Sequence, residues 1–279
     1  MSTPEDLTEL VAHLARLDPV EVLYTDLDGT LLGPGGSLLT GPDGRPSARA
    51  AQALTAAAGA GLAVVPVSGR RREQLVNDAR LLGLADCIAE AGGVVVRHGE
   101  VRYEWGQCPK GLAGNPHDTM VVTGAVAALL GAFGGDLRHY EPWHRGREGG
   151  HLFHGLVDVV AAGAVLAEAG CGWAYLVDNG ATGGWPGRQV RAYHLLPRGV
   201  GKATAVADDL AQRGLAPARA AAIGDSLEDA TMAAAVGTYL IVAGGHGDIA
   251  AHTFRVPGAM GHGVADAIEA LLATRGRRS

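Results

Sequence analysis

The stretch Val22-Leu23-Tyr24-Thr25-Asp26-Leu27-Asp28-Gly29-Thr30 decides how the rest of this 279-residue chain is read. An apolar, β-prone run ends in two carboxylates spaced i, i+2 and then breaks at a glycine. A buried strand that stops on paired acids presents them at the carboxyl edge of its sheet, where open α/β sheets bind ligands. Two carboxylates so close repel each other unless they share a cation or a proton. A Mg²⁺ ion is the economical solution, leaving one acid free to attack an electrophile. The plainer alternative is a strand followed by an Asp-Gly turn, and the segment alone leaves both open.

Outward from this strand the pattern is strand, helix, strand, helix. A Gly/Pro-rich loop over 33–46 leads to an Ala-rich helix from about Ser47, which Gly59 and Gly61 end. Leu62 to Val67 reads as a second buried strand stopping at Ser68-Gly69-Arg70, and Arg71 to Leu82 as a helix with Leu75, Ala79 and Leu82 on one side. Short turns between such elements mark a parallel sheet. After about Asp86 the rhythm changes. Val94–Val96 and Val101–Tyr103 flank His98-Gly99-Glu100 as a hairpin, and one helix is expected from about Pro116 to Phe133. A strand (152–157), a helix (159–169) and two more strands (173–177 and 189–195) follow, the last two joined by Gly180 to Gly187. From Lys202 the first rhythm returns: a helix to Arg213, a strand over 218–223 ending at Gly224-Asp225, a helix over 227–236, a short strand over 239–242 and a closing helix over 263–273. The expected class is α/β, a Rossmann-like parallel sheet core with an inserted α+β cap domain. The core is expected over 1–89 and 197–279, and the insert over 90–196.

Polar groups follow four of the apolar runs or start the next helix: Asp26 with Asp28, Ser68, Lys202, and Asp225 with Asp229. Parallel topology gathers such positions on one rim. Three carboxylates at one site call for a divalent cation, and all-oxygen ligands suit Mg²⁺. A hydroxyl and an ammonium beside it supply what a phosphoryl group needs, donors for its oxygens and compensation of its charge.

This order and spacing resembles the haloacid dehalogenase superfamily of aspartate-nucleophile phosphohydrolases. DLDGT (26–30) matches its first motif, VPVSGR (65–70) its second, Lys202 its third and GDSLEDATM (224–232) its fourth. The likeness covers nearly the whole chain, including the place of the insert. Within the superfamily the insert resembles the cap of the sugar-phosphatase branch, nearest to mannosyl-3-phosphoglycerate and sucrose-phosphate phosphatases. Glu90-Ala91-Gly92-Gly93 is similar to the Glu-Asn-Gly-Gly segment of that group, with Ala91 in place of Asn, and Glu228 stands where the branch has Asn. The resemblance implies that Asp26 attacks phosphorus, giving an aspartyl-phosphate, and that Asp28 acts as acid and then base. It implies Mg²⁺ held by Asp26, the Asp28 carbonyl and Asp225, with Asp229 holding Lys202 or a metal-bound water. Ser68, Gly69, Arg70 and Lys202 would bind the phosphate. A small phosphomonoester, a sugar phosphate or glycosyl-phosphoglycerate, is the implied substrate. A phosphosugar mutase on the same core and a non-catalytic regulatory binding protein are the alternatives.

Composition narrows the rest. The formal charge of −6 and the lack of a Lys/Arg stripe argue against a nucleic-acid surface. Arg275, Arg277 and Arg278 make a basic tail that a solvated terminus explains. Cys87, Cys108 and Cys171 lack CxxC spacing, which suits a reducing cytoplasm. Pro4 to Leu17 reads as an acidic amphipathic helix without the order of a signal peptide, and no apolar run reaches the ~18 residues of a membrane span. A soluble cytoplasmic monomer or homodimer is expected. Gly199 to Thr204 departs from a nucleotide-binding P-loop at Leu196 and Ala203. In the insert, Arg145 and Arg147 share a loop and are the best candidates for recognising an anionic or hydroxyl-rich group, while His151 and His154 would point to opposite faces of a strand and make a zinc pair unlike.

Overall fold

The structure is a computed structural model and describes residues 4–183, 185–247 and 251–275. In chain order the elements are α1 (Pro4–Leu14), β1 (Val22–Thr25), α2 (Arg49–Gly59), β2 (Ala63–Pro66), α3 (Arg72–Leu81), β3 (Cys87–Ala89), β4 (Val94–Arg97), β5 (Glu100–Tyr103), α4 (Pro116–Val122), α5 (Ala125–Phe133) and β6 (Leu137–His139). There follow β7 (His151–Gly155), α6 (Val159–Glu168), β8 (Ala174–Thr182), β9 (Val190–Pro197), α7 (Lys202–Arg213), β10 (Ala220–Gly224), α8 (Leu227–Ala230), β11 (Thr238–Ile241), β12 (Thr253–Arg255) and α9 (Met260–Arg275).

The chain divides into two compact units. The first comprises Met1–Ser68, Asp78–Cys87 and Lys202–Ser279, and the second Gly69–Asn77 and Ile88–Gly201.

The first unit is built on a parallel sheet of order β12-β11-β10-β1-β2. Val22-Leu23-Tyr24-Thr25 and Ala220 to Gly224 are buried throughout, as strands covered on both faces must be. Register pairs Val22 with both Ala220 and Ala63, so β1 lies between β10 and β2. From β1 the chain proceeds to β2 on one side, whereas β10, β11 and β12 run outward on the other. The order therefore reverses between β1 and β10, the place where open α/β sheets bind ligands beyond their carboxyl ends. On α7 the apolar face is Ala205, Val206 and Leu210, with Lys202 and Asp209 also buried. One oxygen of Asp209 is well satisfied: its Oδ2 accepts from Tyr24 Oη and Arg213 Nε, both at 2.6 Å. Helix α2 packs on α9, and α1 on α9 and β12.

In the second unit an antiparallel sheet of order β6-β7-β9-β8 packs one face on α5 and α6, around Met120, Leu129, Phe153, Leu166, Tyr193 and Leu195. Its other face carries a stack in which His154 lies between Tyr140 and Trp185, with the Arg138 guanidinium 4.1 Å from the Trp185 ring. A second sheet, β3-β4-β5, holds the hairpin, whose turn is the two residues His98 and Gly99 at positive φ.

The α/β class with an antiparallel second part is the one the sequence predicts, but several boundaries move. The Pro116–Phe133 run is two helices meeting at 63°, broken at Gly124, whose φ of 83° no right-handed helix accommodates. Strand β8 continues through Gly180 to Thr182 with a bulge between Asp178 and Ala181, so the expected Gly180–Gly187 connection starts later. The helix expected over 227–236 is only α8 followed by a 3₁₀ turn over Thr231–Ala234. The N-terminal helix ends at Leu14, and β3, β6 and β12 have no counterpart in the sequence reading. Arg277 and Arg278 lie outside the described residues. Among those residues no single helix is long and apolar enough to cross a membrane.

Candidate active site

The carboxyl ends of β1 and β10 bring together the acids read from the sequence. Asp26 follows β1 directly and donates its N–H to the Ile223 carbonyl at 3.1 Å, which ties it to the neighbouring strand. Asp225 follows β10, and its Oδ1 accepts from Thr30 Oγ1 at 2.7 Å. Carboxylate oxygens of Asp26, Asp225 and Asp229 lie within 4.8 Å of one another. Gly29 turns the chain past them at φ 89°, and a Cβ there would fall 2.8 Å from Asp225 Oδ2. No other residue type meets both the angle and the space.

Asp229 is fixed by its own helix start. Ser226 caps α8 by accepting from the Asp229 N–H, while Asp229 Oδ2 accepts from Ser226 N–H at 3.0 Å and Ser226 Oγ at 2.6 Å. Its other oxygen accepts from Lys202 Nζ at 2.6 Å. The same ammonium donates to Asp26 Oδ1 at 3.1 Å and lies 3.6 Å from Glu228 Oε2. Lys202 is only 5% exposed, so one buried cation faces three carboxylates, with Asp225 close by as a fourth.

The electrostatics follow from that imbalance. Burial pushes the Asp26 carboxyl up to about 8, with Lys202 opposing and Asp229 and Asp225 adding to the rise. Burial likewise raises Asp225 and Glu228. Burial disfavours the charge of Lys202, but Asp26, Glu228 and Asp229 outweigh it and hold the ammonium well above its ordinary range. For Asp229 burial is overcome by Lys202 and the Ser226 donors, and its carboxyl is held low. An excess of negative charge in a buried, all-oxygen donor set fits a hard divalent cation. Asp26, Asp225 and Asp229 are the residues of that set.

The remaining expected site residues divide. Ser68 is buried two residues beyond the end of β2, in the first unit. Asp28 is exposed two residues beyond Asp26 and its side chain is not one of the three clustered carboxylates. Gly69 and Arg70 group with the second unit, where the Gly69 carbonyl accepts from Arg147 and the Arg70 carbonyl from the Glu90 N–H. Sequence reasoning gave no place to Thr30, Ser226 or the Glu228–Lys202 approach. Thr30 closes the DLDGT run and Ser226 stands three residues before Asp229 in a capping pattern, so both carried a signal; the Glu228 approach carried none.

No family model matches the chain, and no curated protein does. Solved structures match over nearly its whole length. A protein of Thermoplasma acidophilum is 20% identical with a TM-score of 0.66, over 91% of this chain and 99% of that one. A haloacid dehalogenase-like hydrolase of Bacteroides thetaiotaomicron is 17% identical with a TM-score of 0.60, over 90% and 98%. The sucrose-phosphatase of Synechocystis, solved in complex with sucrose and phosphate, is 15% identical with a TM-score of 0.61, over 91% and 98%. The fold of this chain is thus that of the haloacid dehalogenase-like hydrolases.

Proposed function

We propose that this protein is a Mg²⁺-dependent phosphatase that hydrolyses a small phosphomonoester through an aspartyl-phosphate on Asp26. The observation that carries the reading is Asp26 itself, a buried carboxylate at the sheet's switch point, bonded to Lys202 and clustered with Asp225 and Asp229. Asp26 attacks phosphorus in line. Asp28, solvent-exposed and two residues on, protonates the leaving oxygen and then takes a proton from the hydrolytic water. Ser68, with the N–H groups of Gly69 and Arg70, binds the phosphoryl oxygens, and Lys202 compensates their charge. Asp26 and Asp225, with the Asp28 carbonyl, would hold Mg²⁺, which supplies charge neutralisation between nucleophile and phosphate. Asp229 keeps Lys202 in place.

The second unit is read as a cap that selects the leaving group. The likeness to a phosphatase that holds sucrose and phosphate supports a sugar phosphate or glycosyl-phosphoglycerate as substrate. The three buried free thiols support a reducing, cytoplasmic setting, and the charge of −6 supports a small-molecule rather than a nucleic-acid partner.

The test is hydrolysis of a panel of phosphosugars and phosphoglycerates with Mg²⁺. Free phosphate is expected in step with dephosphorylated product, and chelation of divalent ions is expected to stop it. Asp26→Asn should abolish turnover while Mg²⁺ still binds, and undiminished phosphate release from that variant would remove Asp26 as nucleophile. Product that retains its phosphate at another hydroxyl would make the enzyme a mutase.

A further inference from the structure

Within the second unit, three segments far apart in sequence meet around a buried acid and a buried cation. They are the turn after Ser68 (69–72), the turn 90–93 and the loop 143–149. Glu90 is fully buried, and its carboxylate accepts from three backbone N–H groups, those of Arg72 at 3.4 Å, Glu148 at 3.1 Å and Gly149 at 3.0 Å. Burial raises the Glu90 carboxyl, and the charge of Arg147, 5% exposed, opposes that rise without cancelling it. The Arg147 guanidinium donates from Nε to the Trp143 carbonyl at 3.1 Å and from Nη2 to the Gly69 carbonyl at 2.9 Å. Gly93 and Gly149 cross so closely that a Cβ on Gly149 would lie 2.7 Å from the Gly93 backbone. The junction admits little slack.

The consequence falls on Arg70. The carbonyl before it is held by Arg147, and its own carbonyl is held by the Glu90 N–H at 2.9 Å. A peptide unit is planar and trans, so fixing the Gly69 carbonyl also fixes the direction of the Arg70 N–H. Gly69 itself lies against the ring of His194, where a Cβ would fall 2.9 Å from Nε2. Both peptide planes flanking Arg70 are therefore set, one by the Arg147 side chain and the other by the Glu90 main chain.

We propose that Arg147, whose guanidinium holds the Gly69 carbonyl, is a positioning residue for the Ser68–Gly69–Arg70 turn. This rests on the reading of that turn as the phosphate-binding one. Arg147 touches no reacting atom in this account; it acts by holding the peptides that do.

The experiment compares wild type with Arg147→Met, which removes the donors, and Arg147→Lys, which retains the charge and one donor. The substrate is p-nitrophenyl phosphate with Mg²⁺, with inorganic phosphate as inhibitor. Arg147→Met should raise KM and the phosphate inhibition constant about tenfold while kcat changes less than about threefold, and Arg147→Lys should recover part of the loss. Hydrogen exchange of the peptide covering 67–72 should quicken in Arg147→Met. A folded Arg147→Met enzyme whose KM and inhibition constant stay within about twofold of wild type overturns the proposal, as does a loss confined to kcat. If Arg147→Met does not fold, Glu90→Gln removes the countercharge and keeps the side chain's shape; unchanged constants and exchange there also overturn it. Wild type that hydrolyses no phosphomonoester defeats the phosphatase reading instead, and the exchange comparison then decides the positioning claim by itself.

Discussion

At the scale of single residues the most consequential feature is the burial of Asp26 among other acids. Its carboxyl is raised to about 8, so between the unfolded value near 4 and about 8 the folded protein holds a proton that the unfolded chain releases. Stability from this group is full below the unfolded value and falls as pH rises, by about 1.4 kcal/mol per unit for one proton. A divalent ion competes with that proton. Mg²⁺ should therefore raise Tm more at pH 8 than at pH 5, and a shift independent of pH would contradict the coupling. Ala91 invites a simpler test. It sits at φ 55°, ψ 33° in the left-handed region, where an L side chain costs about 1 kcal/mol. Ala91→Gly should stabilise the chain by up to that amount, visible as a rise of roughly 2–4 °C in Tm. The chain's own spacing made the acids and Lys202 legible, because each ends or begins an apolar run. Arg147 was legible only as one arginine of a loop; its tie to Gly69 and Glu90 joins residues up to 78 positions apart, beyond the reach of local pattern.

Among elements, the periodic ones were readable and the short ones were not. Strands β1, β2 and β10 announce themselves as apolar runs, and α7 by its repeating buried face. Strands β3, β6 and β12, three residues each, are too short to display any period. The Gly124 break is hidden because the apolar run from Met120 continues across it into α5, and the glycine alone marks the bend. What the elements of the second unit do place together is a row of imidazoles: His117 on α4, His139 on β6, His144 in the following loop and His151 on β7. His117 stacks on His151 at 3.9 Å and His139 on His144 at 4.5 Å, with His139 and His151 6.0 Å apart. Asp118, Glu141, Arg145 and Arg147 are the charged groups around them. Burial, chiefly, depresses His139 and His144, and takes His151 down to about 3. His139, His144 and His151 are held toward the neutral form in the folded protein, so their contribution is intact above pH 6.5 and is lost as pH falls below it, for His151 down to about 3. The slope from His151 is about 1.4 kcal/mol per unit. Urea unfolding of the second unit should weaken steadily from pH 6.5 to 4, and His151→Gln should flatten that dependence.

For the molecule as a whole, the division into two units sets how it should come apart. Each has its own core, and the clustered carboxylates all lie in the first. Acid should weaken the second through its histidines, whereas a metal bound as proposed should strengthen the first by mass action, by about 2.7 kcal/mol at a hundredfold excess over Kd. Calorimetry at pH 5 should therefore resolve two transitions, of which Mg²⁺ at neutral pH moves only one. A single transition that Mg²⁺ and acid shift together would mean that the units unfold as one. The composition adds a way to watch this directly. All four tryptophans, Trp105, Trp143, Trp173 and Trp185, belong to the second unit, and the first has none. Light absorbed at the red edge, where only indole responds, reports one half of the protein and is blind to the other. Emission from that half should stay unmoved while Mg²⁺ titrates the carboxylates, so a change on adding substrate would be a signal from the second unit alone.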